Sequence, residues 1–287
     1  MTRPHRMPPP SALAALALLS VVAGCGATSE APADMGQPDL PLSINPDDYG
    51  PAVRYRITTL HIPHPTEVAA GARAGHDVDG TGDVCGMPDY PGNVDNAFMD
   101  MAYPAMAGTD PVFMPEEVID TAINCPTDAE PTSCTRLDLI LSVSTGVGRA
   151  LIHIEDGEGA ILAGPFAGSL AANGDFRGVT PRFDLGIPYH WEGGVADFRL
   201  DLTNVILTGN VGPSAISNMV LGGFVVRSAL EEMFMALLPA FGDVRFEDIA
   251  PILENLYDVE LEGDCSALSV GFTGSAEVLP VFAMGLP

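Results

Sequence analysis

Aspartates stand at positions 77, 79 and 83 of the string His76-Asp77-Val78-Asp79-Gly80-Thr81-Gly82-Asp83-Val84-Cys85. Carboxylates at this spacing, on backbone that glycine allows to curl, can turn several oxygens onto one hard cation. Calcium takes about six to eight oxygens. Three aspartates are too few, so a complete site has to recruit further along the chain, where Asp89, Asp95 and Asn96 are the next oxygen donors. A metal held in this way would fix an acidic loop in one shape, a structural role and not a catalytic one. The competing reading is a series of Asp-Gly turns on a chain that is acidic throughout.

Other reactive side chains are sparse. His61 and His64 flank Pro63, but a third zinc ligand is missing from their surroundings in the sequence. His153 lies inside a strand pattern, and His190 beside Trp191 and Glu192 forms an aromatic and polar cluster that suits a structural corner or a ligand surface. All twelve basic residues are arginine. Without lysine there is no Walker-type phosphate loop, no Schiff-base enzyme and no Ser-Lys hydrolase. The patterns G-x-S-x-G, H-E-x-x-H and a helix-opening G-x-G-x-x-G are also missing. Twelve Arg+Lys stand against 38 Asp+Glu, a net charge of −26, which excludes nucleic acid as a partner because phosphate binding needs basic density.

The amino terminus carries Arg3 and Arg6, the apolar run SALAALALLSVVAG and then Cys25. That is the order of parts of an export signal, and the run is shorter than the roughly 20 residues needed to span a bilayer. Val22-Ala23-Gly24-Cys25 resembles the lipobox of bacterial lipoproteins. The likeness implies cleavage after Gly24, a diacylglyceryl thioether on Cys25 and acylation of the new amine, an anchor far firmer than one chain. Gly26 stands where an inner-membrane retention aspartate would be, so the outer membrane is the expected residence. Outside the cytosol the remaining Cys85, Cys125, Cys134 and Cys265 are expected to form two disulfides. Of the three possible pairings, the short loop favours Cys125 with Cys134, which leaves Cys85 with Cys265. A zinc site suits these cysteines poorly, since no C-x-x-C pair occurs.

The elements that must position these groups read as mainly β. AVRYRITTLHI alternates through Val53, Tyr55 and Ile57, then shifts phase at Leu60 and Ile62 as a bulge would. Residues 63–95 show neither a strand nor a helix pattern. Pro115 sits at a first helical position ahead of EEVIDTAIN, and Asn93 or Asp95 is placed to cap NAFMDMAYPAMA, which Pro104 should kink or end. From Leu137 onward LDLILSVS, GRALIHIED, GAILAGPF, PRFDLGIPYHW, ADFRLDLTNVIL and SALSVGFTGSAEVL are strand-like runs between Gly and Asn turns. RSALEEMFMALLPAF and FEDIAPILENLY have helical spacing, and the window Met219–Phe241 reads as a core helix pair because Arg227, Glu231 and Glu232 bar it from lipid. The expectation is an antiparallel β-sandwich or jelly-roll-like domain with a few short helices, α+β in its minority part. Residues 1–24 are read as a lipoprotein signal peptide, 25–50 as a flexible tether, and 51–287 as a single β-rich domain with helical insertions at about 95–124 and 227–257.

Two resemblances add to this. DVDGTGDVC resembles the calcium loops of thrombospondin type-3 repeats, here as a single copy, which implies Asp77, Asp79 and Asp83 as side-chain ligands. It is less similar to an EF-hand loop: with Gly80 as the turn glycine, the first and twelfth positions fall on Gly75 and Gly86, so two acidic ligands are missing. The lipobox, the Asp-Gly loop with Cys85, the segment Gly92-Asn93-Val94-Asp95-Asn96 and the late DCSALSVGF strand together resemble a set of bacterial envelope lipoproteins without an assigned activity. That likeness implies an envelope location and a Cys85–Cys265 pair. The functional expectation is a non-catalytic, lipid-anchored binding or assembly module with a calcium loop at Asp77, Asp79, Asp83, Asp89 and Asp95, and a protein or glycan as its ligand. The alternative is an extracellular metal-assisted hydrolase.

Overall fold

Alternating apolar residues make strands of most of the chain, and in the computed structural model these strands pair only with antiparallel neighbours. The structure describes residues 44–72, 75–80, 85–86, 88–105, 115–130, 133–191 and 194–280. The signal segment, Cys25, most of the tether and Asp83 lie outside the described residues.

The strands are β1 (Val53–His61), β2 (Ile140–Gly146), β3 (Arg149–Glu155), β4 (Ile161–Leu170), β5 (Asp175–Trp191), β6 (Gly194–Val211), β7 (Ala215–Val226), β8 (Val259–Leu261) and β9 (Asp264–Val278). They follow the order β1-β2-β3-β4-β5-β6-β7-β9-β8, and β1 also pairs with β9. The sheet therefore returns on itself, and its opposite walls meet over one core, as the layers of a sandwich do. The fold class is the mainly antiparallel β expected from the sequence. Tyr55, Ile152, Phe183, Leu200, Leu221 and Phe272, from six different strands, belong to a single buried cluster. The phase shift in β1 is a register irregularity between Ile57 and Thr59 in its pairing with β9.

Short helices α1 (Pro65–Ala69), α2 (Ala97–Asp100), α3 (Pro115–Asn124), α4 (Arg227–Leu237) and α5 (Phe246–Leu253) sit in the β1–β2 and β7–β8 connections. Among the described residues the segments 95–105, 115–124 and 227–257 contain helices. Phe98 of α2 packs near Phe198 and Phe272, with ring centroids 6.3 Å apart in each pair, and Ile119 of α3 and Phe234 of α4 join the same core. After Asp100 the helix widens into a π-turn, Met101–Ala105, around Pro104. Pro115 opens α3 as its position predicts.

Some sequence expectations need correction. Met219–Val226 is the second half of β7 and not helix, which begins only at Arg227. Residues 63–95 do contain a helix: His64 caps α1 through its ring, Pro65 follows, and Glu67 reaches back to the His64 N–H at 2.8 Å. The folded body starts before residue 51, since Pro46–Asp48 forms a 3-10 turn, Asp48 pairs with Arg149 at 2.9 Å and the Gly50 N–H donates to Thr145.

One edge of β9 shows how side chains replace a missing strand. β1 pairs with β9 from Val278 back to Thr273, and β8 pairs with it from Ala267 to Asp264. Between them, the Asn96 amide accepts from Gly271 N at 3.0 Å and donates to Gly271 O at 3.2 Å, and Asp258 accepts from Ser269 N at 2.8 Å. Buried backbone groups that would otherwise be unpaired are satisfied by two polar residues. Replacing Asn96 with alanine leaves the Gly271 groups without these partners, and a buried unsatisfied group costs roughly 1–3 kcal/mol. Asn96→Ala is expected to lower unfolding stability by about 2–3 kcal/mol in urea titrations; an unchanged midpoint would contradict this account of the edge.

Candidate metal centre

The acidic loop lies on the outside of the barrel. Val78 packs with Ile206, Phe224, Val259 and Ala267 in a second buried cluster, separate from the interior core. The His76 ring is fully buried and its Nε2 lies 3.1 Å from the Val220 carbonyl of β7. Asn204 donates to the Val78 carbonyl at 2.8 Å. The segment is thus held on β6, β7 and β9 by apolar contact and by hydrogen bonds from side chains to backbone carbonyls. Covalently, Cys85 is joined to Cys265 at the start of β9, 180 residues away in sequence.

Asp95 organises the loop from the other side. Its N–H donates to His76 O at 3.0 Å, forming an isolated antiparallel bridge, and its Oδ2 accepts from Val78 N at 2.7 Å. Gly75 is required by this approach: a Cβ there would lie 2.6 Å from the Asp95 carbonyl. Asp77 uses one carboxylate oxygen to accept from Gly80 N at 2.7 Å, closing the turn on which Asp79 sits. As a result Asp77, Asp79 and Asp95 each offer an oxygen, all within 4.8 Å of one another. Two oxygens bound to one calcium at roughly 2.3–2.6 Å are at most about 5.2 Å apart, so the three match a shared cation.

The electrostatics of the cluster are those of an unneutralised site. Asp95 is only 2% exposed. Burial, opposed by the Val78 N–H and reinforced by the charges of Asp79, Asp89 and Asp258, pushes its pKa up to about 8. Asp258 is also raised, to about 6, chiefly by burial and against its bonds to Ser269. A bound divalent cation would reverse the balance at Asp95, since an opposite charge in contact favours the carboxylate.

Of the expected ligands, then, Asp77, Asp79 and Asp95 come together. Asp89 lies outside that triplet but near enough for its charge to raise Asp95. Asp83 lies outside the described residues. The disulfides join Cys85 with Cys265 and Cys125 with Cys134, the pairing expected from the sequence. His76, Asn96, Asn204 and Asp258 hold the loop and the neighbouring edge of β9. Sequence spacing gives no sign of those roles, because each acts on backbone that is distant in the chain.

Two of the five described histidines lie together. His61 and His64 share the end of β1 with Glu67 and Glu116: His61 Nε2 is 3.7 Å from Glu67 Oε2 and 2.9 Å from the Thr273 hydroxyl, Glu67 accepts from His64 N, Glu116 accepts from Ile62 N at 2.7 Å, and His64 caps α1. His153 lies on β3, and His190 on β5 is 3.0 Å from the Thr135 hydroxyl. Among the described residues no helix is long and apolar enough to cross a membrane. No family model, curated protein or solved structure matches this chain.

The raised pKa of Asp95 has a definite sign. A carboxyl that is harder to ionise folded than unfolded contributes stability below its unfolded pKa of about 4, and that contribution is lost as pH rises towards about 8. Chelator-treated protein should therefore melt at progressively lower temperature between pH 5 and 8, and Asp95→Asn, which keeps an acceptor for Val78, should flatten the decline. Differential scanning calorimetry across that range checks this; a wild-type curve as flat as the variant's would contradict it.

Proposed function

We propose that this chain is a lipid-anchored protein of the bacterial cell envelope, held at the outer membrane through Cys25, whose β domain is a non-catalytic binding or assembly module for a protein or glycan. Calcium held by Asp77, Asp79 and Asp95, completed by Asp89, Asp83 or water, stiffens the loop of residues 75–96. The observation that carries the reading is the approach of those three carboxylates within 4.8 Å, on a loop clamped to the sheet by His76, Val78 and a disulfide. The surroundings suit a structural ion. Asp77 and Asp95 are committed to backbone N–H groups of the same loop, so a cation there locks the backbone and leaves little to polarise a substrate. Two disulfides also suit an oxidising compartment.

The metal-assisted hydrolase reading needs at least two histidines with a carboxylate around one pocket. His61 and His64 share the end of β1 with Glu67, but the His64 ring is committed to capping α1, and the other described histidines bond a strand carbonyl or lie on separate strands, which favours the non-catalytic reading.

Two experiments test the proposal. Calcium at a hundredfold excess over its dissociation constant should stabilise the protein by about 2.7 kcal/mol, which raises Tm by roughly 5–10 °C for a domain of this size; an unchanged midpoint removes the calcium loop. Membrane fractionation tests the anchor: the wild type should partition with outer-membrane lipid, carry acyl chains by mass spectrometry and become soluble in Cys25→Ser. An unmodified amino terminus on soluble wild-type protein would overturn it.

A further inference from the structure

A cavity of about 150 Å³ opens between α3, the Cys125–Cys134 loop and the end of β5. Val118 and Pro188 give it apolar walls, while Glu117, Thr121, Thr135 and His190 place polar groups around it. On the loop side the disulfide ties Cys134 to Cys125, the residue following α3, and the Thr135 hydroxyl lies 3.0 Å from His190 Nε2. Tyr189 lines the cavity and stacks on Trp191, with centroids 6.1 Å apart and planes 19° from parallel.

Size, charge and donor chemistry narrow the ligand. Pockets for drug-sized molecules run to roughly 300–1,000 Å³, so this one takes a single small ring. Among the described lining residues the one carboxylate is Glu117, on a chain of net charge −26, which disfavours anions. Hydroxyl, carboxylate and imidazole groups together offer donors and acceptors that pair with neutral hydroxyls. Tyr189, backed by Trp191, supplies an aromatic side chain with a polar tip. We infer that this cavity binds one neutral, hydroxyl-rich ring, a single sugar unit of a glycan. The inference rests on the reading of the domain as a binding module and gives that module a ligand class and a site.

Trp191 is the only tryptophan in the chain, so its emission reports on this region without competing signals. Full-length protein in detergent is titrated with glucose, galactose, mannose and N-acetylglucosamine, with saturation-transfer NMR of the sugars in parallel. A saturable emission change for at least one sugar is expected. Glu117→Gln should weaken binding about tenfold through loss of a charge-assisted hydrogen bond, and Tyr189→Ala should abolish it while the melting temperature of Glu117→Gln stays that of the wild type. Silence of both readouts for all four sugars overturns the cavity assignment, as does a primary amine such as ethanolamine binding in their place. Co-sedimentation with purified peptidoglycan or saturable binding of lipopolysaccharide, with both cavity readouts silent, would overturn the cavity site and not the module reading.

Discussion

A carboxylate that is almost fully buried has to be neutralised by a proton, by a cation or by enough hydrogen-bond donors, and among the described residues the Asp95 carboxylate receives one donor, the Val78 N–H. The charges of Asp79, Asp89 and Asp258 increase the demand. The same residue is also the point at which residues 76–78 bond to residues 94–96. The state of one carboxyl group and the shape of the whole loop are therefore the same problem. The divalent ion proposed between Asp77, Asp79 and Asp95 would answer both parts, because it would supply the charge and join the two arms of the loop.

That loop matters to the barrel because it covers a face that would otherwise be open. Val78 fills a small apolar cluster with Phe224 and Val259 on the outer side of the sheet, and His76 lies over β7. The next residue after Asp95 satisfies the exposed edge of β9 at Gly271. The Cys85–Cys265 bond closes a very long loop, which in the chain-entropy account stabilises the fold by roughly 4–5 kcal/mol. Apolar cover, edge satisfaction, covalent closure and charge compensation all converge on residues 75–96 and their partners on β7 and β9.

The sequence made the strands legible where one face meets the core and the other meets solvent, as in Arg149–Glu155 with its strict alternation of burial. It misled at Met219–Val226, and the reason is physical. Met219 and Leu221 point into the core, while Val220, Gly222 and Phe224 are covered from outside by His76 and the Val78 cluster. A strand buried on both faces loses its period of two and reads like a buried helix. Helix α1 was hidden because it is only five residues long and depends on a histidine cap. Within the site, Asp77 and Asp79 were legible from spacing and Asp95 as a neighbouring donor. The role of Asp258 was not, because it acts at the β9 edge through the folded chain.

The most direct measurement is a crystal structure grown with calcium, with anomalous scattering collected to identify the ion. The account predicts one calcium peak bonded at roughly 2.3–2.6 Å to oxygens of Asp77, Asp79 and Asp95. A map in which these carboxylates hold only water, or turn away from one another at saturating calcium, would contradict it.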